Sequence, residues 1–197
     1  RMNTKITEYA CLVMLLITLS TNGYSQSNEI IPSQKYTIKQ STSKITIDGN
    51  LDENVWNDCE TIFLPYEWTP GDNTESPVKT ECLITYDNTN IYIAFRCFDP
   101  EPSKIRAHLV SRDEIDTFIQ DDHVAIHFDP FNDQRRAFKF CVNALGVQVD
   151  GIYSDVDNFE DFSWDAIWSS AGKIVENGYI VEVAIPLNQL RFPNSKE

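Results

Sequence analysis

The chain has 197 residues, of which 42% are hydrophobic, and 30 acidic against 16 basic side chains give a formal net charge of −14. That length and apolar content suffice for one domain with a sizeable core. So acidic a surface excludes nucleic acid and anionic lipid as partners and leaves neutral ligands or calcium.

The first 25 residues read as a secretory signal peptide. Arg1 and Lys5 make a basic start, "ACLVMLLITL" is an apolar run too short to span a bilayer, and Gly23 and Ser25 stand at the −3 and −1 positions of a cleavage point. Cys11 lacks a lipoprotein context. Residues 26–34, "QSNEIIPSQ", read as a polar linker. Residues 35–197 then form one folded domain, expected to be exported and to be the N-terminal part of a longer protein.

That domain reads as mostly β. "KITI" predicts a strand, and "LDENVWNDC" a short helix with Asp52 as N-cap and Val55 and Trp56 facing inward. "VKTECLITY" and "IYIAFRCF" flank the turn "DNTN" and predict a hairpin. Ile91, Ile93, Phe95 and Cys97 share one face of the second strand, Tyr92, Ala94, Arg96 and Phe98 the other. Both faces are largely apolar, so this strand is expected at the centre of a sheet. "HVAIHFD" pairs with "RAFKFCVN" across "PFNDQR", and "GVQVDGIYS" follows. The last hairpin is "WSSAGKIV" with "GYIVEVAIP", turned at "ENG", before a single helical turn in "PLNQLRF". The whole predicts an all-β fold, an antiparallel β-sandwich of jelly-roll type with one or two short helices.

Four cysteines follow the signal: Cys59, Cys82, Cys97 and Cys141. The "DNTN" turn sets Cys82 opposite Phe95, which leaves Cys97 one diagonal away, farther than a relaxed disulfide prefers. Buried free thiols are the expectation. "IDGNLDENVW" opens like a calcium loop, but its sixth and twelfth positions hold Glu53 and Cys59 where an EF-hand needs glycine and glutamate. Its reading is a turn at Asp48–Gly49. His123 and His127 stand i, i+4 on a strand, about 13 Å apart, and do not share a metal.

Two polar clusters remain. "YSDVDNFEDFSWD" crowds carboxylates into a loop, which is either solvated or a hard-cation site with Asp155, Asp157 and Asp161 as ligands. Asp121–Asp122, with Arg112–Asp113 upstream, make either a salt-bridged loop or a polar ligand site of Arg112, Asp121 and Asp122. No nucleophile motif or phosphate loop occurs, so the sequence gives no argument for catalysis by this domain.

Taken in order, "ITIDGNLDENVW", "LITYDNTNIYIAFRCFD", "SRD", "DDHVAIHFDPFNDQRRAFKFCVNALGVQVDG", "SWDAIW" and "GYIVEVAIPLNQLRF" resemble the family 9 carbohydrate-binding modules, in the version at the N-terminus of exported, outer-membrane-associated bacterial proteins. The resemblance implies a β-sandwich, often with bound calcium, that holds a polysaccharide or oligosaccharide between two tryptophans and serves enzymes of glycoside hydrolysis. Trp164, in the acidic loop, and Trp68, in "PYEWTPGD", are the candidate sugar platforms, whereas Trp56 and Trp168 read as core. The alternative is a structural or interaction domain that has lost sugar binding. The module is expected to be monomeric, without insertion into a membrane.

Overall fold

The computed structural model describes residues 35–67 and 73–191. The signal-like segment, the linker and Trp68 lie outside the described residues.

Two sheets pack face to face. The larger is built on the expected hairpin of β5 (Thr80–Tyr86) and β6 (Asn90–Phe98). Asp87 closes its turn by accepting the N–H groups of Thr89 and Asn90 at 2.7 and 2.8 Å. Burial works to raise the Asp87 pKa, but these hydrogen bonds outweigh it and bring it down to about 2. Register follows the turn: Tyr86 pairs with Ile91 and Cys82 with Phe95. The closing hairpin, β11 (Ser169–Val175) and β12 (Gly178–Pro186), adds β12 beside β6. Gly178 is required there, at φ +143°, because a Cβ would lie 1.9 Å from the Cys97 carbonyl oxygen.

On the other side of β5, two short pieces share one edge. The strand β1 (Lys39–Gln40) runs parallel to it and β2 (Ile62–Phe63) antiparallel. A separate small ribbon pairs β3 (Tyr66–Glu67) with β4 (Thr74–Glu75). The second sheet has the order β10–β9–β8–β7, with β7 (His123–Phe128), β8 (Arg136–Asn143), β9 (Gln148–Ser154) and β10 (Phe159–Asp161) all antiparallel.

The core follows the period-2 pattern of the strands. Ile93 and Phe95 of β6 and Val181, Val183 and Ile185 of β12 meet Val124, Phe140 and Val142 of the small sheet. The opposite face of the large sheet is also apolar. Leu83, Tyr92, Ala94 and Ala184 are covered by Ile45 and by Trp56 of the helix α1 (Val55–Asp58). A second short helix, α2 (Ile115–Phe118), sets Phe118 on Cys141, Val147 and Val149, across the outer face of the small sheet.

Two local expectations are corrected. "KITI" is no strand: Ile45 packs inward, but the Thr46 N–H bonds the Glu53 carboxylate at 2.9 Å instead of a neighbouring strand. The helix α1 starts later than expected, with Asn54 rather than Asp52 at its N-cap. Side-chain hydrogen bonds inside this loop, Glu53 to Thr46 and to the Trp56 indole, order it in place of a cap. The four cysteines are free thiols. Burial pushes Cys82 and Cys141 up to about 12 and Cys97 to about 11, so all three stay protonated at neutral pH.

Candidate functional site

The residues singled out from the sequence serve several different places. Trp164 and Trp168 both lean on Phe140, whose ring each meets edge-on at 5.9 and 5.2 Å. Trp168 is 6% exposed and belongs to the core. Trp164 is half-buried and also stacks against Phe138 at 4.8 Å, so it sits at the rim with much of its ring already packed. Trp164 was expected outward or at the rim, and the rim is where it lies, with less free face for a ligand than a fully exposed indole has.

Asp121 and Asp122 hold the segment 106–108 against the start of β7. Asp121 is buried and accepts the His108 N–H and the Asn143 amide at 2.8 Å each, with the His108 ring nitrogen at 2.5 Å. Burial works to raise its pKa, but these hydrogen bonds hold it below the ordinary carboxylate value. Asp122 accepts the Arg106 N–H at 2.7 Å. Arg112 donates to the fully buried Asp150, to the Ala166 carbonyl at 2.7 Å and to Asp113 at 3.1 Å. All three residues therefore tie loops to the small sheet.

Asp155, Asp157 and Asp161 are not brought to one point. Each accepts from its own neighbourhood: Asp155 from the Tyr153 hydroxyl, Asp157 from the Ser154 hydroxyl and Asp161 from Ser163. Among the described residues, the carboxylates that converge are those of Asp113, Asp150 and Asp165, within 4.8 Å of one another. Arg112 already supplies the positive charge there, paired with Asp113 and Asp150 and 4.0 Å from Asp165. The expected trio therefore shares no common point, and the cluster that does converge also holds the Arg112 guanidinium.

A further surface that combines aromatic rings with charged groups is one the sequence reading passed over. On the outer face of the small sheet, alternation turns His127, Lys139, Tyr153 and Glu160 away from the core. Register places His127 beside Lys139, and Tyr153 beside Glu160. The His127 and Tyr153 rings lie 5.2 Å apart, tilted by 33°. Lys139 pairs with Glu160 and lies over the Phe162 ring at 5.7 Å. Burial, then the Lys139 charge, lowers the His127 pKa below 6.5, which favours a neutral imidazole at neutral pH. An open cavity of about 340 Å³ reaches from these two rings to Arg135 and Arg136. The signal for this face was the period-2 alternation itself. The polar positions of "HVAIHF", "RAFKF" and "GIYS" fall on one surface once the strands are paired.

A family model described as "Carbohydrate family 9 binding domain-like" matches residues 47–197. The chain belongs to this family. Among curated relatives, the family 9 domain is 27% identical over 151 residues to endo-1,4-beta-xylanase C of Paenibacillus barcinonensis and 25% identical over 150 residues to endo-1,4-beta-xylanase A of Thermotoga neapolitana. Those matches take in 77% and 76% of this chain, which spans only 12% and 13% of the relatives' own lengths. A solved putative carbohydrate-binding protein of Bacteroides uniformis shares the fold, with a TM-score of 0.55 at 15% identity over 79% of this chain and 73% of that one. A family 9 module of Caldicellulosiruptor kristjanssonii in complex with glucose gives a TM-score of 0.49 at 19% identity, over 80% and 72% of the two chains.

Proposed function

We propose that this domain is a non-catalytic sugar-binding module that holds a polysaccharide or oligosaccharide for an attached glycoside hydrolase or similar exported protein. The observation that carries the reading is the partly exposed face of His127, Lys139, Tyr153 and Glu160 on a family 9 fold. Aromatic rings suit the C–H faces of a pyranose, while charged donors and acceptors beside them fix its hydroxyls. Export is supported by the signal-like N-terminal sequence and the acidic composition.

A second reading, an interaction domain without sugar binding, is favoured by the packing of Trp164 on Phe138 and Phe140. Affinity electrophoresis of the domain in gels containing xylan, soluble cellulose derivatives or no glycan decides between them. Retardation that Tyr153→Ala abolishes, with unchanged melting, supports the sugar-binding module. Absence of retardation in every glycan supports the interaction domain.

A further inference from the structure

We propose that Arg135 and Arg136 form a subsite for a neutral sugar residue, whose neighbouring hydroxyls are held between guanidinium donors and carboxylate acceptors. The inference rests on the sugar-binding reading above and names a part of the site that the His127–Tyr153 platform leaves undefined.

The starting point is how this acidic chain uses its cations. Lys79 and Arg96 pair with Glu81, Lys104 with Glu101, Lys139 with Glu160, and Arg112 with Asp113 and Asp150. Arg135 and Arg136 are adjacent and exposed, and neither guanidinium has an ion pair or hydrogen bond among the described residues.

Carboxylates are nevertheless close by. Asp129 and Asp155 line the same cavity as the two arginines, and Asp133 and Asp157 line a second one, of about 390 Å³. Each is turned to a local donor. Asp129 accepts the N–H groups of Phe131 and Gln134 at 3.0 and 2.8 Å, and Asp133 that of Arg135 at 2.9 Å. Asp155 takes the Tyr153 hydroxyl and Asp157 the Ser154 hydroxyl, both at 3.3 Å.

Arg135 and Arg136 line both cavities and so form the wall between them. One cavity contains the His127 and Tyr153 rings, and the other continues to Ser154 and Val156. The first cavity therefore places the arginines beside the rings, while the second, with Ser154, opens toward the opposite face of the small sheet.

The chemistry selects the ligand. A guanidinium only donates and an ionised carboxylate only accepts. A hydroxyl does both, so a vicinal diol satisfies both kinds of group at once. A uronate carboxylate or a sulfate group offers acceptors alone, so it can pair only with the guanidiniums and meets two aspartates in either cavity.

The test is calorimetric titration of the protein with cellohexaose, xylohexaose and a hexameric oligogalacturonide. It compares the wild type, the double variant Arg135→Ala/Arg136→Ala and Tyr153→Ala. The wild type should bind a neutral hexamer more tightly than the acidic one. The double variant should lose about tenfold or more in affinity for the neutral ligand, the scale of lost hydrogen bonds to charged groups, with its melting temperature unchanged. If the double variant binds like the wild type while Tyr153→Ala does not bind, the subsite is overturned and the sugar-binding reading stands. Equal or tighter binding of the oligogalacturonide overturns the choice of a neutral ligand. No binding of any hexamer by the wild type overturns the sugar-binding reading and the subsite together.

Discussion

The carboxylate of Glu182, at the middle of β12, accepts the backbone N–H of Gly49 at 2.7 Å, 133 positions away in the chain. It also accepts the Asp48 N–H at 3.0 Å, while its other oxygen, Oε1, is buried without a partner. One side chain therefore fastens the loop before α1 to the large sheet. Glu182→Ala leaves the buried Gly49 N–H and the partly buried Asp48 N–H without this acceptor and should cost about 1–3 kcal/mol in chemical denaturation.

Burial, together with the nearby Glu53 and Asp48 charges, raises the Glu182 pKa above 4.5 despite the two N–H donors. The native state then holds a proton that the unfolded chain releases. The stabilisation is full below the unfolded value and is lost as pH rises through the folded one. Glu182→Gln keeps an oxygen for both N–H groups and removes the titration. Its melting temperature should exceed that of the wild type at pH 7 and converge with it below about pH 4.5. Parallel melts at pH 4, 5.5 and 7 check this, and a constant gap across the series would contradict it.

The two tryptophans around Phe140 should separate in cost. Trp168→Ala empties a core site and should lose about 3–5 kcal/mol. Trp164→Ala removes a half-buried ring packed on Phe138 and Phe140 and should lose a smaller amount, about 1–2 kcal/mol. Urea denaturation of both variants reads the difference. A silent Trp164→Ala would mean that its ring contacts contribute nothing to stability.

Arg112 should matter more than a surface cation. Its removal leaves Asp150, which is fully buried, without its guanidinium, and such a loss costs about 3–5 kcal/mol. Burial already raises the Asp150 pKa against the Ala166 N–H, Trp168 and Arg112, so the deficit of Arg112→Ala should grow as pH rises from 4 to 7. Because Arg112 serves as the local cation, chelator should leave the wild-type melting temperature unchanged. Calcium should instead raise that of Arg112→Ala, where Asp113, Asp150 and Asp165 are left to converge alone. A wild-type transition lowered by chelator and restored by calcium would reverse this account.

His127 should titrate below 6.5, and Lys139→Met should raise its midpoint by removing the nearby positive charge. Imidazole proton resonances followed by NMR across pH 5–8 report both values. The folded state disfavours protonated His127, so its contribution to stability is lost as pH falls through 6.5 toward the folded midpoint.

Strand register was legible because it is local. The "DNTN" turn fixes Cys82 opposite Phe95, and alternation then assigns every inward position of β6 and β12. The carboxylate clusters were not legible, for the converse reason. Asp155, Asp157 and Asp161 are neighbours in sequence but answer to their own turns. Asp113, Asp150 and Asp165 come from a loop, a strand and another loop, and only the tertiary fold brings them together. In "GVQVDG" the letter D gives no sign of a carboxylate buried beneath Ala166, which donates to it at 2.6 Å. Helix α2 and the two- and three-residue strands were missed because segments this short carry too few residues to show a period.

The covered edge of β5 bears on how the large sheet avoids pairing with another copy. An open strand edge is a template for pairing with another copy, and long β chains aggregate through it. Here the β5 edge is taken up by β1 and β2 running in opposite directions. At the other end of the sheet, the turn at Gly146 packs on the face of β11, so closely that a Cβ on Gly172 would lie 2.4 Å from the Gly146 nitrogen. A second molecule therefore meets an interrupted edge at β5. Destabilising the β1 segment should therefore show first as loss of solubility on concentration, before any loss of the sandwich itself.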